Sequence, residues 1–232
     1  MLKVLNDINS ILFPPVCFGC EKRLSLGEVI LCTYCRHDLP LTYYTFNEEN
    51  AIDRLFYGRV SIEKAISFLE FSDTGMVKNL LHYLKYKNQE SVASFIGDWF
   101  GQEIIKNGTP EIDFVIPVPL HQKRLKKRGY NQVTLLAKKL TQHLNAHFRD
   151  DVLIKKKNTP TQTKKDRFAR WINNQDLFAV QNYQDLNGKN ILLVDDVITT
   201  GATIEACAHA ILKATNAKIY VATMATVLLN RN

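Results

Sequence analysis

No run of about 18 apolar residues occurs in the 232-residue chain, which excludes an ordinary transmembrane helix. The first thirteen residues, MLKVLNDINSILF, break up their apolar positions with Lys3, Asn6, Asp7, Asn9 and Ser10. They lack the unbroken apolar stretch and small-residue cleavage site of a secretory leader, so the expectation is a cytoplasmic protein. Neither G-x-x-x-x-G-K-[ST] nor G-x-G-x-x-G is present, which removes support for a Walker-type or dinucleotide-binding fold. Glycine (10) and proline (7) are modest, 46% of residues are hydrophobic and 23% charged, and no internal repeat is visible. Collagen-like, low-complexity and disordered classes fall away. The length suits one α/β domain of roughly 150–200 residues plus a small appendage.

Cysteine is scarce too, but its placement is informative. Four of the five cysteines form Cys17-Phe-Gly-Cys20 and Cys32-Thr-Tyr-Cys35, eleven residues apart; Cys207 stands far away. Two C-x-x-C turns on one short hairpin suit a tetrahedral zinc ion, with Gly19 permitting the bend that aims both sulfurs inward. About twenty residues bury little core, so the metal would supply much of the folding energy in a structural role. Two disulfides are the alternative, disfavoured in a reducing compartment. His37 is a substitute ligand or an exposed loop residue, and Cys207, within Ala206-Cys207-Ala208, reads as a small core side chain.

The net charge of +7 is unevenly spread. Between His121 and Arg170 there are 15 Lys/Arg against Asp150, Asp151 and Asp166. Such a concentration is either a solvated face or a polyanion surface for phosphate esters or nucleic acid. A track for single-stranded DNA needs cations and aromatic platforms. Lys123, Lys126, Lys127, Lys164, Lys165, Arg167 and Arg170 offer the first, and Tyr130 and Trp171 (with Phe168) the second.

Apolar periodicity organises the rest. Residues 1–13 read as an amphipathic helix stopped by Pro14-Pro15, and 1–40 as this helix plus the four-cysteine module. Residues 41–60 form an aromatic-rich connector, and 61–232 a larger domain. Within it, strands are expected at 65–71, 113–120, 191–194 and 218–228. Helices should present Val77, Leu80, Leu81 and Leu84, then Phe95, Ile96, Trp99 and Phe100, then Val133, Leu136, Leu140 and Leu144 behind an Asn131 cap. The run from His121 to Gly129 reads as a loop, and 150–190 as an excursion with a short hairpin. Apolar, β-branched strands alternating with helices predict an α/β fold, a parallel sheet covered on both faces.

The most telling stretch is Ile191-Leu-Leu-Val-Asp195-Asp196-Val-Ile-Thr199-Thr200-Gly201-Ala202-Thr203. An apolar strand delivers two carboxylates, then a hydroxyl-bearing turn at a helix start, at the carboxyl edge where α/β ligands bind. Backbone N–H groups and hydroxyls there cradle a phosphate, Gly201 lets the backbone approach it, and the acids suit the diol of a sugar phosphate.

This segment resembles the signature of type I phosphoribosyltransferases. The resemblance implies that Asp195 and Asp196 contact the ribose hydroxyls of phosphoribosyl pyrophosphate, with Thr199, Thr200, Gly201, Ala202 and Thr203 on its 5′-phosphate. It also implies a pyrophosphate loop at Val118, Pro119, Leu120 and His121, and Mg²⁺ accompanying the ligand. Pro119 has no N–H to donate, so His121, Lys123, Arg124, Lys127 and Arg128 would carry that charge.

Ile116-Pro117-Val118-Pro119-Leu120-His121, Arg124, Arg128-Gly129-Tyr130-Asn131-Gln132 and Thr159-Pro160-Thr161-Gln162, with Arg170, Asn173 and Phe178 beyond, resemble the ComF family. With the four cysteines, that likeness covers nearly the whole chain. It implies a zinc finger joined to a phosphoribosyltransferase-like domain, acting in natural transformation on incoming DNA, with single-stranded DNA and a helicase or translocation ATPase as expected partners. A nucleobase hood and a second-substrate site are not recognisable. The catalytic residues are therefore unassigned, and an active phosphoribosyltransferase of nucleotide salvage or synthesis is the alternative.

Overall fold

The computed structural model describes residues 14–86, 89–120, 125–126, 129–156 and 177–227. The helix expected over 1–13 lies outside them. The strands are β1 (Lys64–Phe71), β2 (Phe114–Pro117), β3 (His147–Phe148), β4 (Leu153–Lys155), β5 (Phe178–Val180), β6 (Asn190–Ile198) and β7 (Lys218–Val227). The α-helices are α1 (Thr33–His37), α2 (Met76–Tyr86), α3 (Glu90–Lys106), α4 (Gln132–Leu144) and α5 (Ala202–Ala214).

Five strands form an all-parallel sheet in the order β1-β7-β6-β2-β3. Strand alternation sends Leu192, Val194, Ala222, Met224, Ile66 and Phe68 to one face, into a core with α2, α3 and α4. Ile191, Leu193, Ile219 and Val221 face the other way, against Ile204, Cys207 and Ile211 of α5. The expected stripe is buried on α2 (Val77, Leu80, Leu81 and Leu84) and, but for the half-buried Leu144, on α4 (Val133, Leu136 and Leu140); on α3 Ile96 and Phe100 are buried with Val92, Ala93 and Ile104, while Phe95 and Trp99 are half-buried. Asn131 caps α4, its side chain accepting from the Val133 N–H.

Two segments carry more structure than their sequence suggests. Residues 40–42 run along the free edge of β1, with Thr42 N–H bonded to Phe68 O and Glu70 N–H to Pro40 O. Asp53–Phe56 form a 3₁₀ turn held to β1 by Asp53, whose carboxylate accepts the Ala65 N–H at 2.8 Å. That turn brings Ile52 and Phe56 into the α5-side core. The expected short hairpin is β4 against β5, antiparallel. In the basic run, Leu125 and Lys126 are helical rather than loop, and Gly129 N–H closes on Leu125 O.

The four-cysteine module shares the main core. Leu24, Ile30 and Leu31 are buried in the same cluster as α2 and α3, and Phe18 stacks on Tyr83 of α2 at 4.7 Å. Among the described residues no helix is long and apolar enough to cross a membrane.

Candidate functional site

After β2 the chain passes through α4 to β3 on one side of the sheet; after β6 it passes through α5 to β7 on the other. The strand order therefore reverses between β2 and β6, and in open α/β sheets such a switch point is where a ligand crevice is expected, at the carboxyl ends. The residue just after β2 stays tied to β6, because Val118 N–H donates to Val194 O at 2.8 Å. Asn131 also donates from Nδ2 to Val118 O.

Strand β6 does not stop at Val194: it runs through both acids to Ile198. Consecutive strand residues face opposite ways, so Asp195 and Asp196 are separated by the sheet instead of standing side by side in a loop. Asp196 meets Nζ of Lys85, from the last turn of α2, at 2.8 Å. Asp195 faces the α5 side, where its register partner on β7 is Thr223. The two acids are also locally braced, since the N–H of Asp196 donates to Asp195 and that of Val197 to Asp196. Burial, and secondarily the Asp196 charge, push the Asp195 carboxyl up to about 7, against the pull of the Asp196 N–H, Lys85 and Lys155.

Beyond Ile198 the turn curls around an open cavity lined by Asp195 and Val197–Ile204. Thr199, Thr200, Ala202 and Thr203 are exposed, and Gly201 is buried at φ 75° as the N-cap of α5. A Cβ on Gly201 would lie 2.9 Å from the Phe56 ring, so glycine is required by both the backbone and the neighbour. Arg59 follows on the same upstream segment. It donates to Thr200 O at 2.9 Å and to Leu55 O, and pairs with Glu205 in the first turn of α5.

Sequence reasoning missed Lys85, Phe56 and Arg59. Lys85 occupies a helix-end position where lysine is commonplace; Phe56 and Arg59 lie in a stretch without periodicity, and each reaches the site only through the fold. Among the expected residues, Val118 is buried, while Pro119 and Leu120 are half-buried beside the crevice. Lys126 is exposed; Tyr130 is half-buried, packs against the main core, and its hydroxyl donates to the Leu84 carbonyl at the end of α2. His121, Lys123, Arg124, Lys127, Arg128, Lys164, Lys165, Arg167, Arg170 and Trp171 lie outside the described residues.

The sulfurs of Cys17, Cys20, Cys32 and Cys35 all lie within 4.8 Å of one another and form a group able to hold a metal ion. Cys20 and Cys32 are 3.8 Å apart, the edge of a tetrahedron whose metal–sulfur bonds are about 2.3 Å. Backbone N–H groups of Gly19 and Cys32 point at the Cys17 sulfur. Burial raises the Cys17 thiol, but N–H groups of Cys32, Cys20 and Gly19 outweigh it and bring the thiol down to about 7. Burial, and then the crowding sulfurs, push Cys35 strongly upward. A cation among the four sulfurs is what lets all of them ionise, so the donor set fits a thiophilic metal. His37 is exposed beside Asp38, and Cys207 is fully buried in the α5 core with its thiol pushed up by burial.

A phosphoribosyl transferase domain matches residues 126–231. Competence protein F of Haemophilus influenzae is 34% identical over 198 residues, spanning 82% of this chain and 80% of that protein. The DNA utilization protein YhgH of Shigella flexneri is 25% identical over 216 residues, 86% of this chain and 92% of its own. Competence protein ComFC of Bacillus subtilis is 25% identical over 199 residues, 85% and 78% of the two chains.

Proposed function

The chain belongs to the ComF family of competence proteins, and from that premise we propose that its β2–β6 crevice binds phosphoribosyl pyrophosphate or a related ribose 5-phosphate while the protein acts in the cytoplasm on DNA taken up by the cell. The observation that carries the pocket is the Thr199–Thr203 turn curled around its cavity directly beyond two edge carboxylates. Backbone N–H groups at the start of α5 neutralise a 5′-phosphate without the cost of ordering a long cation. Asp195, which lines that cavity, accepts from a ribose hydroxyl, while Asp196 faces the other side of β6, held by Lys85, and would join it only by leaving that ion pair. Mg²⁺ carried by a pyrophosphate would supply countercharge beside these hard oxygen donors.

The residues of this site favour binding over turnover. Displacement at the anomeric carbon needs a positioned nucleophile and a second-substrate site, and the sequence offers no recognisable motif for either. Zinc in the Cys17, Cys20, Cys32 and Cys35 site has a structural role, because four protein ligands leave no open coordination position. The cationic stretch between His121 and Arg170 supplies a surface for single-stranded DNA, and a helicase or translocation ATPase is the partner class that such a task requires.

Calorimetric titration of phosphoribosyl pyrophosphate with Mg²⁺ into the zinc-loaded protein tests the pocket. Saturable binding that vanishes in Asp195→Asn/Asp196→Asn supports it, and a folded wild type that binds nothing refutes it. Pyrophosphate release stimulated by a base or amine would move the protein to the enzymes. DNA binding that falls steeply with salt, yet is unchanged in the double variant, would separate the cationic surface from the pocket.

A further inference from the structure

We infer that Arg59 is a positioning residue of the phosphate turn: it fixes the Thr200–Gly201 peptide plane so that the Gly201 N–H is presented to the anion. The inference rests on the phosphate reading of the turn and adds a residue from outside it, 141 positions upstream of the carbonyl it holds.

In a trans peptide the C=O and the following N–H lie in one plane and point opposite ways. Arg59 Nη1 holds the Thr200 carbonyl at 2.9 Å. The Gly201 N–H on the same plane is thereby turned away from Arg59, and Gly201 lines the cavity whereas Arg59 does not. Gly201 tolerates the φ of 75° that this plane demands, and its missing Cβ admits the Phe56 ring. Without a hold on Thr200 O, that peptide plane is free to rotate, and glycine, with the widest conformational freedom, offers the least resistance.

The guanidinium does not float. Its Nη1 also donates to Leu55 O at 2.8 Å, and Nη2 pairs with Glu205. The 3₁₀ turn just before it, whose Phe56 O accepts the Arg59 N–H at 2.9 Å, is pinned to β1 through Asp53 and the Ala65 N–H, with Asn50 Nδ2 on Ala65 O. An anchored planar fork is a device for fixing geometry, whereas a mobile lysine contributes charge alone. Glu205 supplies the competing explanation: its carboxylate sits in the first turn of α5, near any bound phosphate, and Arg59 would also serve by neutralising it.

The test compares wild type with Arg59→Gln, Arg59→Lys and Arg59→Gln/Glu205→Gln, each checked for a cooperative unfolding transition. Ribose 5-phosphate affinity is expected to fall about tenfold or more in Arg59→Gln, and to recover only in part in Arg59→Lys. It should stay weak in the double variant; recovery there to the wild-type value would show plain charge neutralisation and overturn the proposal. In the ligand-free protein, the Gly201 amide resonance should shift and its hydrogen exchange quicken in Arg59→Gln, and an unmoved amide overturns the proposal as well. A wild type that fails to bind ribose 5-phosphate refutes the phosphate reading, while the ligand-free amide measurement still decides whether Arg59 sets the peptide plane.

Discussion

Asp195 and Asp196 are neighbours in sequence and chemically unlike in the fold. Asp196 has a cation at 2.8 Å, and Asp195 is desolvated with its carboxyl pushed from 3.8 to about 7. An acid whose pKa is raised on folding holds its proton more tightly in the native state, so the contribution of Asp195 is largest at low pH and declines between about pH 4 and pH 7. Urea midpoints measured from pH 5 to 8 should fall with a steeper slope in wild type than in Asp195→Asn. Lys85→Met should cost about 1–2 kcal/mol, below the roughly 3–5 kcal/mol of a fully buried pair, because the two side chains keep 22% and 20% exposure. Lys85 also lowers the pKa of Asp195, so a carboxyl ¹³C titration of Lys85→Met should find Asp195 protonated to higher pH than in wild type.

At the scale of elements, the Thr199–Thr203 turn and the four-cysteine hairpin are the two pieces most exposed to a single change. Gly201→Ala combines φ 75° with a Cβ 2.9 Å from Phe56 and should lower stability by about 1–3 kcal/mol in chemical denaturation. Phe56→Leu in that background should relieve the contact and leave the backbone strain, giving partial recovery. Stripping the metal with a chelator should lower the thermal midpoint of the whole chain in one transition, since Leu24, Ile30 and Leu31 belong to the core of α2 and α3. A separate early transition confined to the module would contradict that shared core.

Elements whose burial repeats at a fixed period were legible in the sequence. The strands β1, β2 and β7 and the stripes of α2 and α4 are of this kind, and the Asn131 cap was legible from its residue type just ahead of a helical stripe. The extent of β6 was not, because two carboxylates end an apolar pattern while the backbone ladder to β7 continues through Val197 and Ile198. That continuation decides which face each acid takes. The two-residue β3 is too short to have a period, and Arg59, Phe56 and Lys85 owe their roles to contacts across the fold. The two C-x-x-C turns were readable because a short-range spacing brings the sulfurs together, whatever the rest of the chain does.

For the molecule as a whole, β1 joins the sheet through β7, and β1 lies more than 150 positions upstream of its partner, with Lys64 opposite Tyr220. Such pairings are slow to form, because the loop-closure cost precedes the contact that repays it. Pulse-labelling during refolding should find β1 amides protected after those of β6 and β2, and simultaneous protection would argue against this order. On the ribosome the same arrangement sets a schedule. The cysteine hairpin, the upstream turn with Phe56 and Arg59, and β1 emerge before β2 and β6, yet the strand that secures them is translated after both. Until β7 is out, β1 has no strand to pair with, whereas metal capture by the four sulfurs needs only residues 17–35 and can precede the sheet.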